Sequence, residues 1–137
     1  MSQENVDLTY RTIDCFNRRD LHGHLSFIDP EVESIPYEVS VLGGDPYRGH
    51  AGVRAWWEDT LAALPDLHAD IAEVLDFGEM TFVRGRLRGQ GDASGAAFER
   101  ALWQATRWRD GKLVWWRAFE TEAEALEAVG GGEPRPA

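Results

Sequence analysis

Arg100-Ala-Leu-Trp-Gln-Ala-Thr-Arg-Trp-Arg-Asp-Gly-Lys-Leu-Val-Trp-Trp-Arg-Ala-Phe-Glu120 reads as a β-hairpin. Two aromatic-rich strands flank Asp110-Gly111, a pair that tolerates the positive φ of a tight turn. Strict alternation along each strand puts Leu102, Gln104, Val114, Trp116, Ala118 and Glu120 on one face. That face is apolar apart from an amide and a carboxylate, the pattern of a ligand pocket rather than a sealed core.

Working outward from the hairpin, the separators Phe77-Gly78-Glu79 and Gly91-Asp-Ala-Ser-Gly95 divide four β segments. These run over Leu67–Asp76, Thr81–Gly89, Ala97–Trp108 and Lys112–Glu120, with a short helix at Glu122–Ala128. Before them, Val6, Tyr10, Ile13 and Phe16 recur at helical spacing across residues 4–19. Asp20 caps a second, short helix that ends at Asp29-Pro30. Glu31–Tyr37 looks extended, Gly43-Gly44-Asp45-Pro46 is a loop, and a third helix over Ala51–Leu64 closes at Pro65. Helices first and antiparallel strands later give an α+β fold, three N-terminal helices packed on one face of a curved sheet. The domain spans residues 1–129, followed by a flexible tail over 130–137.

Composition narrows the function. The chain has 137 residues, 43% of them hydrophobic, with six tryptophans and six phenylalanines, enough for a core without staples. Its formal charge of −10 opposes polyanion partners, whose recognition rests on neutralising phosphates. Cys15 stands alone, so no internal disulfide forms, and a reducing cytoplasm is the expected compartment. No apolar run reaches membrane-span length, and Met1-Ser-Gln-Glu-Asn lacks the features of a signal peptide. Membrane association is not expected.

The motifs combine into something more specific. Asn17-Arg-Arg-Asp-Leu21, Asp29-Pro-Glu-Val-Glu33, Tyr47-Arg-Gly-His-Ala-Gly-Val-Arg-Ala-Trp-Trp57, Arg109-Asp-Gly-Lys112 and Ala123-Glu-Ala-Leu-Glu-Ala-Val-Gly130 together resemble the SnoaL-like branch of the nuclear transport factor 2 superfamily. The resemblance implies a cone-shaped α+β fold, commonly dimeric through the outer sheet face, with a ligand cavity between helices and inner face. It covers isomerases, polyketide cyclases, epoxide hydrolases, dehydratases and members without known activity, so it fixes no reaction.

By the same resemblance, the proton-abstracting Asp of ketosteroid isomerases falls on Ser34 or Ile35, neither of which is a base. Their first-helix Tyr falls on Thr12, a supporting Tyr on Trp57, and the oxyanion Asp on Gln104. What remains is a set of neutral donors: the Trp57 indole, the Gln104 amide and the Thr12 hydroxyl. In SnoaL-like cyclases the general base stands near the end of the last strand, here Thr121 or its neighbour Glu120. Inward, Glu120 is desolvated beside Trp116 and Ala118 and suited to proton transfer. Outward, it is a surface acid, and Thr121 and Glu124 form a capping box.

Tyr37 and Tyr47 belong either to the cavity mouth or to packing, and one of the adjacent Trp56 and Trp57 enters the cavity. His22 and His24 read as surface residues, His50 as a cap or loop contact, and His68 as a lone strand histidine; no metal site is expected. Arg84, Arg86 and Arg88 share a strand face with Trp103, Trp115, Arg107 and Arg117. Such interleaving occurs in single-strand nucleic-acid binders, but the acidic balance favours a homodimer interface with carboxylates from across it.

Two functions follow. One is a cofactor-independent isomerase, cyclase or dehydratase for a small hydrophobic carbonyl compound, with Glu120 as proton carrier and Gln104 as catalytic polar anchor. Trp57, Trp116, Thr12, Tyr37 and Ala118 would then contact the substrate. The other is a non-catalytic ligand-binding or vestigial dimeric protein.

Overall fold

Asp110 and Gly111 adopt φ of 52° and 76°, the doubly positive turn that the hairpin requires. The hairpin is part of a computed structural model that describes residues 2–90 and 97–130. The loop at 91–95 and all of the expected tail except Gly130 lie outside the described residues.

The elements follow in the order α1 (Ser2–Asn17), α2 (Leu21–Ser26), β1 (Ile28–Ile35), α3 (Tyr37–Leu42), β2 (Tyr47–Arg48) and α4 (Gly49–Ala63). They continue with β3 (His68–Phe77), β4 (Met80–Gln90), β5 (Ala97–Arg109), β6 (Lys112–Phe119) and α5 (Glu122–Ala128). One six-stranded sheet runs β2-β1-β6-β5-β4-β3. All neighbours are antiparallel except β1 and β6. Register shifts interrupt β1/β6 between Ile28 and Glu33, β3/β4 between Ile71 and Glu73, and β5/β6 between Arg107 and Trp108. Bulges of this kind bend strands and raise twist, so the sheet curves and leaves a hollow under the helices.

The bulge in the hairpin corrects the expected face of Val114. Arg107 pairs with Trp115 and Trp108 with Leu113, so Val114 is the extra residue and Leu113 takes the buried inner position. Two further corrections concern the N-terminal half. β1 starts at Ile28 rather than Glu31 and runs through Pro30, which sits within the register shift where no ladder bond is required. After Pro36 the chain forms α3 instead of running straight into the glycine loop. Ser40 fastens that helix by donating from Oγ to the Ala118 carbonyl at 2.5 Å.

Asn17 ties α1 to the outermost strand. Its side chain donates to Ala69 O and accepts from Ala69 N, both at 2.9 Å, occupying backbone groups that an edge strand would otherwise leave open. Deeper in, Trp108 is fully buried. Its indole Nε1 donates to Thr9 Oγ1 at 3.0 Å and to Thr106 Oγ1 at 3.1 Å. Thr81 joins both hydroxyls, so a polar chain links α1, β4 and β5 inside an apolar core.

The outer face is zipped by ion pairs within the same chain. Arg84 meets Glu73 and Glu122 at 2.5 Å each, Arg86 meets Glu99 at 2.5 Å, and Arg88 meets Asp70. The carboxylates are therefore the chain's own, where the sequence suggested a partner's. Arg107 lies over Trp115 and Arg117 over Phe119.

Candidate functional site

The hollow between helices and sheet is a cavity of about 170 Å³, room for a small ring-bearing molecule. Ile13 and Phe16 of α1, Trp56 of α4, Leu102 of β5 and Trp116 of β6 are part of its apolar wall. Thr12, Gln104, Trp116, Ala118 and Tyr37 all line it. Gln104 is paired with Ala118 across the hairpin, which puts both on the inner face. Its amide makes no hydrogen bond among the described residues and is half-buried. It is available to a ligand oxygen.

Thr12 lines the cavity in a different role from the one expected. Its hydroxyl proton goes to the Leu8 carbonyl at 2.7 Å, so Oγ1 faces a ligand only as an acceptor. Trp57 is corrected outright. It is buried between helices, edge-on to Phe16 at 5.1 Å and beside His24 at 5.0 Å, and its neighbour Trp56 enters the cavity, T-stacked on Trp116 at 5.2 Å. Tyr47 stands in β2, away from the lining.

Glu120 takes the outward position. The last pair of the hairpin is Trp103 with Phe119, and beyond it the chain leaves the sheet, so alternation no longer governs direction. Thr121 then caps α5, its Oγ1 accepting from Glu124 N at 3.2 Å. Glu120 is exposed and does not line the cavity with Gln104. Ser34 is fully buried with an unpartnered hydroxyl, and neither it nor Ile35 reaches the lining.

The residue that sequence reasoning passed over is His24. Expected at the surface, it is only 7% exposed and lines the cavity. α2 is capped by Asp20, whose carboxylate accepts from Gly23 N at 2.8 Å, and this sets His24 toward α1 and α4. Its Nδ1 lies 3.0 Å from the Thr12 carbonyl oxygen. A carbonyl only accepts, so Nδ1 carries the proton and Nε2 presents a lone pair. Nε2 has no hydrogen-bond partner among the described residues. Burial pushes the His24 pKa below its ordinary 6.5, against the opposing pull of the Thr12 carbonyl and Asp20. The ring is neutral at neutral pH.

That shift has a consequence for stability. The unfolded ring binds a proton near 6.5, whereas the folded ring resists it. Between the two values the unfolded state holds more protons, so stability falls as pH drops through that window and is unaffected above it. Thermal midpoints measured from neutral pH down to about pH 5 should fall less steeply for His24→Gln than for the native chain. Equal slopes would mean that His24 titrates alike folded and unfolded.

The other histidines stand outside the cavity lining. His50 Nε2 lies 2.8 Å from the Ile28 carbonyl, His68 pairs with Asp70 at 3.2 Å, and His22 is exposed. Among the described residues no cluster of three or more His, Cys, Asp or Glu is placed to hold a metal, and no helix is long and apolar enough to cross a membrane.

A family model described as a SnoaL-like domain matches residues 10–116. The chain belongs to the SnoaL-like family. Solved structures agree on the SnoaL-like fold and differ in the activities attached to it. An NTF2-like protein of unknown function from Burkholderia pseudomallei is 22% identical, with 93% of this chain and 98% of that one aligned at a TM-score of 0.76. IdmH from Streptomyces antibioticus, named as a proposed polyketide cyclase, is 23% identical over 93% and 98% at 0.69. AclR from Streptomyces galilaeus, named as a proposed hydroxylase, is 18% identical over 97% and 100% at 0.72. No curated protein matches this SnoaL-like chain by sequence.

Proposed function

We propose that the protein is a cofactor-independent enzyme that moves a proton on a hydrophobic carbonyl compound, leading to isomerisation, cyclisation or dehydration. The fixed ring of His24 carries this reading: a neutral imidazole with its free lone pair at an aromatic-walled cavity is poised as a general base. Nε2 takes the proton α to the carbonyl, and the electron pair moves onto the carbonyl oxygen as an enolate. The Gln104 amide donates to that oxygen, where the charge develops. The Nδ1–H bond to Thr12 holds the resulting imidazolium in place, ready to return the proton to carbon or to a leaving hydroxyl. Trp56, Trp116 and Ala118 shape the apolar wall.

A binding module is the second reading. It is favoured by Ser34 and Gln104, which stand where the isomerase resemblance would place carboxylates, and by the exposure of Glu120. On either reading we take the protein to be cytoplasmic and homodimeric through the outer sheet face, on the strength of its acidic charge, its lone cysteine and the Arg- and Trp-rich surface of β4–β6.

The test is exchange of the α-protons of β-tetralone in heavy water, followed by NMR. The native protein should accelerate exchange above buffer, and Ala118→Phe, which projects a ring into the cavity, should stop it. Tight binding of the ketone without exchange would establish the binding module instead.

A further inference from the structure

Arg100 and Glu38 are the only charged residues in the cavity lining among the described residues. They are an ill-matched pair. Their closest approach is 3.8 Å, beyond hydrogen-bond reach, and Glu38 is 65% exposed while Arg100 is only 26% exposed. The exposed arginines do better: Arg18, Arg48 and Arg86 meet carboxylates at 2.7, 2.8 and 2.5 Å. The arginine most withdrawn from water among these pairs thus has the poorest carboxylate contact, in a chain with a large excess of carboxylates. Partial burial of a loosely paired charge is unfavourable, and it calls for a partner.

The setting defines that partner. Arg100 projects from the inner face of β5, level with Leu87 across the ladder. The Tyr37 ring lies 3.7 Å from its guanidinium carbon, and the Phe98 ring 5.3 Å. Stacking covers a flat face and leaves the N–H edge for an acceptor lying in the guanidinium plane. A carboxylate matches that edge with two parallel bonds. Arg100 and Gln104 share one strand face four residues apart, roughly 13 Å between α-carbons, and a two-ring skeleton spans the gap between side chains that lean inward.

We propose that Arg100 anchors the carboxylate of the ligand, so that the cavity selects a ring-bearing keto acid, its carboxylate on Arg100 and its ketone on Gln104. This rests on the reading of the cavity as a small-molecule site. Glu38 competes for the same guanidinium and swings outward when the ligand enters. The net charge of −10 opposes an anion at long range, but salt screens that repulsion beyond about 8 Å. Contact at Arg100 decides.

Calorimetric titration with β-naphthoic acid and its uncharged analogue β-naphthamide, at neutral pH, tests the proposal. The native protein should bind the acid about tenfold more tightly than the amide. Arg100→Met should bring the acid down to the amide's affinity without changing the amide's, and Arg100→Lys should restore part of the preference. Glu38→Gln should tighten the acid alone. Equal affinities for the two probes in the native protein would overturn the proposal, as would loss of both in Arg100→Met or weakened acid binding in Glu38→Gln. Binding of the amide alone would overturn the role of Arg100 while sparing the cavity. Failure of both probes to bind the native protein would overturn the small-molecule reading and this proposal together.

Discussion

Replacing His24 by glutamine is expected to slow α-proton exchange by about 10²–10⁴-fold, the usual contribution of a positioned general base. Glutamine keeps a polar side chain of similar reach but offers no lone pair basic enough to take a carbon-bound proton. Since the base touches the reacting atom, the loss should fall on kcat while KM changes little. Glu120→Gln should leave exchange unaltered, because Glu120 is exposed and outside the lining. The native rate should rise with pH and level off, as the neutral ring is the active form. Its midpoint should lie below the ordinary histidine value, following the direction of the His24 shift. The opposite pattern, with Glu120→Gln inactive and His24→Gln unimpaired, would move the chemistry to the end of β6.

Replacing Trp108 by alanine is expected to cost about 3–5 kcal/mol, a large part of the roughly 5–15 kcal/mol that holds a domain of this kind together. The ring is 2% exposed and packs with Leu25, Ile28, Val32 and Trp116. Its loss opens a void that the rigid sheet on one side cannot fill. It also strips a donor from Thr9 and Thr106, which are buried themselves. Trp108→Phe separates the two contributions: most of the apolar volume stays, and only the N–H is missing, at a cost of about 1–3 kcal/mol. Urea midpoints for the three proteins measure both. If the phenylalanine variant falls as far as the alanine one, the hydroxyl chain rather than packing is the dominant element.

The fold was legible because its signals are local. Asp110-Gly111 fixes the turn by φ alone, and the apolar spacing of α1 stands out over a long helix. What escaped depends on where elements stop or on what covers them. Alternation carried past Phe119 turns Glu120 inward; the capping bond of Thr121 ends the strand first. A single bulge exchanges Val114 for Leu113. α2 has only six residues, too few for a periodic face, so nothing local marks His24 as buried. Trp56 and Trp57 are adjacent, and only the position of α2 beside α4 decides which one reaches the ligand space. For Arg100 the deciding facts are tertiary too: Tyr37 and Glu38 arrive on α3, a helix held in place by one serine.

β6 lies in the middle of the sheet, between β1 and β5, although it is the last strand among the described residues. On the ribosome, α1 emerges about a hundred residues before it, a delay of roughly 5–20 s at about 5–20 residues per second. Throughout that interval the apolar faces of α1 and α2 have no Leu113, Trp116 or Ala118 to meet, and β1 has no parallel partner. The N-terminal half is therefore exposed to chaperones and proteases until β6 has emerged, and closing the long-range β1–β6 pair is the slow folding event. Nascent chains arrested before Lys112 should be far more protease-sensitive than those arrested after α5.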